Sequence, residues 1–415
     1  MKLMILGASK AQCNAISRGK EMGYRVLATD YYEDSPGKAI ADEVGLASTF
    51  DVDATLALAK TRDISGIMTT GTDQPVYVVN RIAEALDLPR FLDEQTGYNV
   101  TNKKAMKKIL KDHDIPIVPY TLLTKEFKDA QLVGIEPPFV LKPLDSQGQR
   151  GIYKLHTADE IRQFIDQTLS YSREEEALLE SYYDSEEVTI TGWVKDGDTK
   201  IITITDRVTF EDQLHIGICS SHEFPSKYME DYGEEIIRIS HAIVEAFHIE
   251  NGPIYFQMLI GNKGVLVNEI ACRIGGAYED EFIPLITGID ILGMVIDYSM
   301  GQEVDYTALK SYDIHENKSF LSSQLFFANE GTIEGKTSRE EMLNCQGLHN
   351  MNYNVDVGQT LQPRINATQR AGYMIITGKD EEDLIDNINK AYDTMVIKDK
   401  KGNNLVIRGR RGKIK

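Results

Sequence analysis

The densest run of chemically useful side chains lies at positions 254–276, IYFQMLIGNKGVLVNEIACRIGG, where two alternating apolar stretches flank Asn262-Lys263-Gly264. This pattern predicts a hairpin, and the length of its turn decides which side chains face each other. A three-residue turn, with Gly264 supplying a positive φ, sets Gln257 opposite Glu269. A two-residue turn, Asn262-Lys263, sets Asn268 there instead. In the first register a carboxylate and an amide carbonyl address one place. Such hard oxygen donors, completed by water and phosphate oxygens, suit magnesium, which seldom receives a full protein cage. A surface hairpin with alternating polar positions is the other reading.

A second candidate is LKPLDSQGQRG, positions 141–151. Gly148 and Gly151 let backbone amides approach an anion, while Ser146 and Arg150 can add hydrogen bonds and charge. No Gly-Lys-Ser/Thr follows and a strand begins at Ile152, so this is not a Walker A loop. Lys142 sits between Leu141 and Pro143 in an apolar run; buried there it needs an anion such as phosphate, whereas on an edge strand it would snorkel to water. Lys103 is ambiguous among Lys104, Lys107 and Lys108, which a solvated helix face explains equally well. Glu180, after an apolar strand, and Glu187, at the start of the next, are acceptors suited to an adenine amino group and ribose hydroxyls, or simply solvated acids. His222, in CSSHEFPSKY, and the acids Glu279, Asp280 and Glu281 beside Gly275-Gly276 are candidates for holding a substrate carboxylate and ammonium. Loop ordering and helix N-terminal electrostatics explain them as well. Arg370, ahead of Gly372, is a further candidate substrate contact.

These side chains must be positioned by a large framework. At 415 residues the chain exceeds what one core usually organises. KLMIL, a break at Gly7, a helical Ala11–Met22 and a strand ending at Asp30 form a βαβ opening, and residues 1–100 read as a parallel sheet with helices on both faces. From Thr101 a basic helix runs to Pro116 and Pro119, and from Phe139 antiparallel strands dominate, interrupted by the helix EEIIRISHAIVEAFHI. A third section after Asp305 carries the strands SFLSSQLFFA and AGYMIITG and the helix EEDLIDNINKAYDTM, and is expected to cap the middle. The basic tail, Lys398–Lys415, reads as a solvated or frayed end.

Composition narrows the partners. With 45 basic and 64 acidic residues, the net charge of -19 repels nucleic acid and anionic membranes. The window Phe282–Met300 contains Pro284, Asp290 and Asp297, which argues against a membrane span. Four cysteines without a CxxC pair fit a reducing compartment, and with an N-terminus that enters directly into a strand the expected location is the cytoplasm.

Taken together, these motifs resemble the ATP-grasp superfamily, in its carboxylate-amine ligase branch related to biotin carboxylase, carbamoyl-phosphate synthetase, the purine ligases and the L-amino acid ligases. The resemblance covers nearly the whole chain and implies an α/β and α+β multidomain protein. Its sections would be a Rossmann-like pre-ATP-grasp domain at 1–100, an ATP-grasp fold at 101–305 and a C-terminal capping subdomain at 306–415. It implies an ATP-dependent ligase working through an acyl-phosphate on small-molecule carboxylate and amine substrates, and it favours a homodimer. ATP and one or two magnesium ions are the implied cofactors. Lys103 and Lys142 would then meet ATP phosphates, assisted by Arg150. Glu180 through Tyr182 would be adenine-side contacts, Glu187 a ribose ligand, Gln257 and Glu269 the metal pair, and Arg273 the group steadying the acyl-phosphate. Gln257 stands where Glu is usual, and Ala271 where Asn usually supplies an oxygen. Those departures keep a catalytically silent nucleotide-binding protein as an alternative. A purine-pathway ligase is a nearer rival, and a dinucleotide oxidoreductase a distant one, since no GxGxxG follows Gly7.

Overall fold

The computed structural model describes residues 1–210 and 214–409. Four short parallel strands open the chain: β1 (Lys2–Leu6), β2 (Arg25–Asp30), β3 (Glu43–Leu46) and β4 (Gly66–Met68), in the order β3-β2-β1-β4. The middle strands of this sheet are buried along their length, β1 from Leu3 to Leu6 and β2 from Val26 to Thr29, as expected of parallel strands covered on both faces. Helices Cys13–Glu21 and Val52–Arg62 intervene and Pro75–Ala85 follows β4; the second starts where the Asp51 carboxylate accepts from the Ala54 N–H.

The middle of the chain forms two antiparallel sheets. The smaller holds β5 (Tyr120–Leu123), β6 (Phe139–Pro143), β7 (Tyr153–Leu155) and β8 (Ala177–Ser181), ordered β5-β8-β6-β7. Alternation along β6 sends Phe139 and Leu141 into a core with Tyr153, Leu155 and Leu179, leaving Val140 and Lys142 for the opposite face. The larger is nine-stranded and starts with β9 (Ser185–Lys195), β10 (Asp198–Thr209), β11 (Cys219–Phe224), β12 (Asn251–Gly261) and β13 (Gly264–Ala271), in the order β13-β12-β9-β10-β11.

The third section does more than cap this sheet. Its strands β14 (Phe320–Ala328), Gly372–Gly378 and Leu348–Tyr353 continue the same ladder outward from β11. One apolar core accordingly joins Leu3 and Ile5 of the parallel sheet, Phe282 and Ile296 of the helices Glu279–Thr287 and Ile291–Ser299, and Leu321 and Ile375 of the large sheet. Among the described residues no single helix is long and apolar enough to cross a membrane, and those two helices form a bent pair within this core.

The sequence pattern missed β11 because CSSHEF is polar, yet all six residues are buried. The tail is ordered further than its charge suggests: Val406 and Ile407 pair with β14. Its last residues, beyond Gly409, lie outside the described residues.

Candidate active site

A cavity of about 560 Å³ lies between the smaller sheet and the larger one. Lys142 on β6, Lys154 on β7 and Glu180 on β8 line one wall; Glu187, Gln257 and Glu269 line the other, with Lys103 and Tyr182 also at the surface. Seven residues singled out from sequence are therefore brought to one space: Lys103, Lys142, Glu180, Tyr182, Glu187, Gln257 and Glu269.

The hairpin reaches the first of its two expected registers by an unexpected route. Gly261 pairs with Gly264, so the turn is the two-residue one, and the ladder runs unbroken to Met258 opposite Val267. A bulge at Asn268 then shifts the register, and Gln257 pairs with Glu269. The reason lies in the apolar phase. Val265, Val267, Ile270 and Cys272 belong to one core, so the inward phase slips by one residue between Val267 and Ile270. Asn268 and Glu269, consecutive in sequence, both line the cavity.

The basic helix, Lys103–Asp112, splits its lysines by face. Lys104 and Lys108 are exposed and pair with Glu176 and Asp112, as a solvated face requires. Lys103 and Lys107, one helical turn apart, are buried, Lys107 completely. Lys107 Nζ lies 2.8 Å from Glu180 Oε1, and Lys142 Nζ lies 2.6 Å from Glu180 Oε2. Although burial alone would push it up, the Glu180 carboxyl is held down at about 2 by Lys107 and Lys142. Burial, together with the Lys142 charge, pulls Lys107 below the ordinary lysine value against the opposing pull of Glu180. Lys103 Nζ is 2.6 Å from Glu269 Oε1 and donates to the Ser146 carbonyl at 3.3 Å. Burial lowers and Glu269 raises its pKa, and the carboxylate prevails. Glu187 is paired to buried Arg207, which also donates to the Gly217 carbonyl at 2.9 Å.

The loop after β6 sits beside the cavity rather than forming its wall, which of that loop takes Gln149 and Ile152. Gly148 and Gly151 both have positive φ. Ser146 is buried with no partner for its hydroxyl, and Arg150 donates to the Gln147 carbonyl at 3.1 Å. The loop is held from two sides: the Asp73 N–H donates to Gln147 Oε1 at 3.1 Å, and the Ala367 N–H donates to the Gly148 carbonyl at 3.1 Å. Asp73 also receives Arg273 Nε at 2.8 Å, and that guanidinium lies 4.3 Å from the Tyr255 ring centre. A side chain at Gly276 would come within 2.6 Å of the Gly71 carbonyl, so only glycine admits this close approach of the first section.

His222 and Arg370 fall in a separate buried corner. His222 Nδ1 is 3.2 Å from the Thr205 hydroxyl and 3.8 Å from Glu279 Oε1. Burial, with Arg207 and Arg370 nearby, drives its pKa far down, so the imidazole is neutral, while burial raises that of Glu279. Arg370 donates to the Gly276 carbonyl at 3.0 Å. Sequence reasoning missed Asp73, Lys107 and Arg207. For Lys107 the i,i+4 spacing from Lys103 was available; for Asp73, inside GTDQP, nothing local marks a partner 200 residues away.

The donor set suits a magnesium nucleotide. Among the described residues no group of three or more His, Cys, Asp or Glu side chains could hold a metal. The oxygens of Gln257 and Glu269 are hard donors, of the kind that fits a magnesium ion completed by phosphate and water. Lys103, Lys107 and Lys142 gather around Glu180 and Glu269 at one end of the cavity, a local excess of cations that suits an anion, while Asp184, Glu186, Glu187 and Asp206 offset Lys154, Arg207 and Lys227 elsewhere in the lining.

Residues 135–281 match the ATP-grasp domain and residues 324–398 the L-amino acid ligase C-terminal domain 2. Among curated relatives, an L-arginine-specific L-amino acid ligase of Bacillus subtilis is 25% identical over 44% of this chain and 45% of its own. A formate-dependent phosphoribosylglycinamide formyltransferase of Actinobacillus pleuropneumoniae is 26% identical over 42% of this chain and 43% of its own. The chain thus spans less than half the length of either relative. Among solved structures, the L-amino acid ligase of Bacillus licheniformis superposes with a TM-score of 0.79 at 17% identity, covering 95% of this chain and 97% of that one. The biotin carboxylase domain of the 2-oxoglutarate carboxylase of Hydrogenobacter thermophilus, solved with MgADP, gives 0.75 at 16% identity, with 95% and 90% covered. Residues 135–281 thus carry an ATP-grasp domain, and the fold of the chain is the one these ATP-grasp ligases share, one of them solved with MgADP. The chain's last section is the C-terminal domain found in L-amino acid ligases.

Proposed function

We propose that the protein is an ATP-dependent ligase that joins a small carboxylate, best an amino acid, to an amine through an acyl-phosphate. The observation that carries this reading is the 560 Å³ cavity, which sets two buried lysines against the facing oxygens of Gln257 and Glu269. A carboxylate oxygen attacks the γ-phosphorus and the bond to ADP breaks. The amine then attacks the acyl carbon, phosphate leaves, and the amine loses a proton. Lys103 and Lys142 stabilise the phosphoryl charge, and the loop with Ser146, Gly148, Arg150 and Gly151, which sits beside the cavity, would move over the phosphates when nucleotide binds. Glu187, oriented by Arg207, takes the ribose. With both Glu180 oxygens occupied by lysines, adenine contacts fall to the backbone from Glu180 to Tyr182. Magnesium, held by Gln257 and Glu269, would neutralise phosphate oxygens. Arg273, paired with Asp73 and outside the lining of the cavity, is assigned to steady the acyl-phosphate, and His222 and Arg370 with Glu279 to the substrate corner.

ADP release measured against a matrix of amino acids and small carboxylates tests this. We expect at least one productive pair, and Lys142→Ala to lower its rate about a hundredfold, the scale of losing one transition-state charge partner. A variant that is folded by its thermal melt and keeps the full rate would remove Lys142 from the phosphate site. The likeness to the formyltransferase supports a second reading, in which phosphoribosyl amines replace amino acids; the same assay separates the two. The biotin carboxylase neighbour is a dimer, which supports a homodimer here, to be checked by light scattering.

A further inference from the structure

Strict alternation along β13 would give the cavity one polar side chain opposite Gln257. The bulge gives it two, because Asn268 and Glu269 both turn to that face. Two residues beyond Glu269, Ala271 is buried and brings no donor. Asn268 Oδ1 accepts from Lys142 Nζ at 3.3 Å, a long contact, while the same ammonium lies 2.6 Å from Glu180. Lys142 therefore keeps its closer, charged partner if Asn268 turns away. The bulge is also held from behind: the Val267 N–H donates to the Pro116 carbonyl at 2.7 Å, and Lys107 Nζ reaches the Val267 carbonyl at 3.4 Å. A register break anchored on both backbone polar groups of its first residue presents the amide in a fixed place.

We propose that Asn268 is a third protein oxygen ligand of the divalent cation, beside Gln257 and Glu269, and that its carbonyl leaves Lys142 for the metal when the nucleotide binds. This inference rests on the nucleotide reading above. An octahedral hard cation accepts a third neutral oxygen readily, and with Gln257 also neutral the protein would contribute a single negative charge, leaving the rest to the phosphates. Lys142, released from the amide, keeps Glu180 and turns to the phosphate.

The test uses the full chain, ADP and Mn²⁺, the ion standing in for Mg²⁺. ADP affinity is measured by calorimetry with EDTA present, and Mn²⁺ affinity of the ADP-saturated protein by electron paramagnetic resonance. Asn268→Ala should weaken Mn²⁺ binding about tenfold, the scale of disturbing a metal's coordinating environment. Asn268→Asp, with an added charge, should tighten it. Unchanged Mn²⁺ affinity in Asn268→Ala overturns the proposal and makes Asn268 a holder of Lys142 only, with metal-free ADP binding the quantity that falls. If Asn268→Ala does not fold, Asn268→Asp decides alone, unaltered or weaker Mn²⁺ binding counting against the ligand role. Wild-type protein that binds no ADP under either condition refutes the nucleotide reading itself, a result distinguishable from the loss of metal affinity alone.

Discussion

Lys107→Met should lower unfolding stability by about 3–5 kcal/mol, the cost of removing one partner from a buried ion pair. Lys107 is 0% exposed and Glu180 is 3% exposed, so no water replaces the lost cation. Glu180 would then hold its negative charge with Lys142 alone, and its pKa should rise from about 2 because the first of its two lowering charges is gone. The Val267 carbonyl at the bulge loses its lysine as well. The measurement is urea denaturation, with Lys108→Met on the exposed face of the same helix as the comparison. That variant loses only a surface pair with Asp112 and should change stability by about 0.5 kcal/mol or less. Equal effects from the two substitutions would mean that the buried triad does not hold this corner. A further signature is acid sensitivity. In the wild type, the depressed Glu180 contributes stability above its unfolded value near pH 4, lost only as pH falls toward about 2. In Lys107→Met the smaller depression should bring that loss to higher pH.

The triad also shows how the two phosphate-site lysines are kept ready. Lys103 rests on Glu269 and Lys142 on Glu180, so each lysine has a carboxylate partner within a low-dielectric wall. In the proposed mechanism, Glu269 must give up Lys103 when the cation arrives, and Lys103 is then free for a phosphate oxygen. Pairing the metal's carboxylate with the phosphate's lysine makes the binding of cation and anion mutually dependent, since either alone leaves one of the pair exposed to a buried, unpaired charge.

Much of this arrangement was legible in the chain. The strand runs, their antiparallel middle and the parallel opening follow from periodicity, because long apolar alternation leaves little freedom once both sheet faces are covered. The facing of Gln257 and Glu269 was legible only through a false premise about the turn. The phase slip was nevertheless written in the apolar spacing: Val265 and Val267 are two apart, Ile270 follows three later and Cys272 two after that. That gap is the mark of a bulge, and it weighs more than turn length in fixing the far end of the hairpin. What was not legible depends on distant chain segments. The buried fate of β11 follows from β10 and β14 flanking it, not from its polar composition. Burial of Lys103 and Lys107 needed β8 to deliver Glu180 and β13 to deliver Glu269, so local charge patterning could not tell a solvated helix face from a buried one.

Asp280→Asn should remove a pH-dependent loss of stability that the wild type shows between about pH 4 and pH 7. Asp280 is 7% exposed, and burial with the adjacent Glu281 raises its carboxyl to about 7. Glu279 adds to the repulsion, and the Asn14 amide, donating to Oδ2 at 2.7 Å, opposes it. Because the folded value lies above the unfolded one near 3.9, the folded chain holds this proton more tightly. The resulting stability is complete below the unfolded pKa, declines as pH rises, and is gone once pH passes about 7. A shift of about three units corresponds to roughly 4 kcal/mol. Denaturation at pH 4.5 and pH 8 should therefore show the wild type losing on the order of 3 kcal/mol more than Asp280→Asn across that interval. Some slope must survive in the variant, since burial raises Glu279 and Glu281 too. If the two proteins instead keep parallel profiles, Asp280 ionises normally and the corner is wetter than its packing. A substrate ammonium seated among these acids, as in the proposed function, would favour the charged carboxylates. It should flatten the wild-type profile toward that of the variant, which gives the same titration a second use as a screen for amine-bearing ligands.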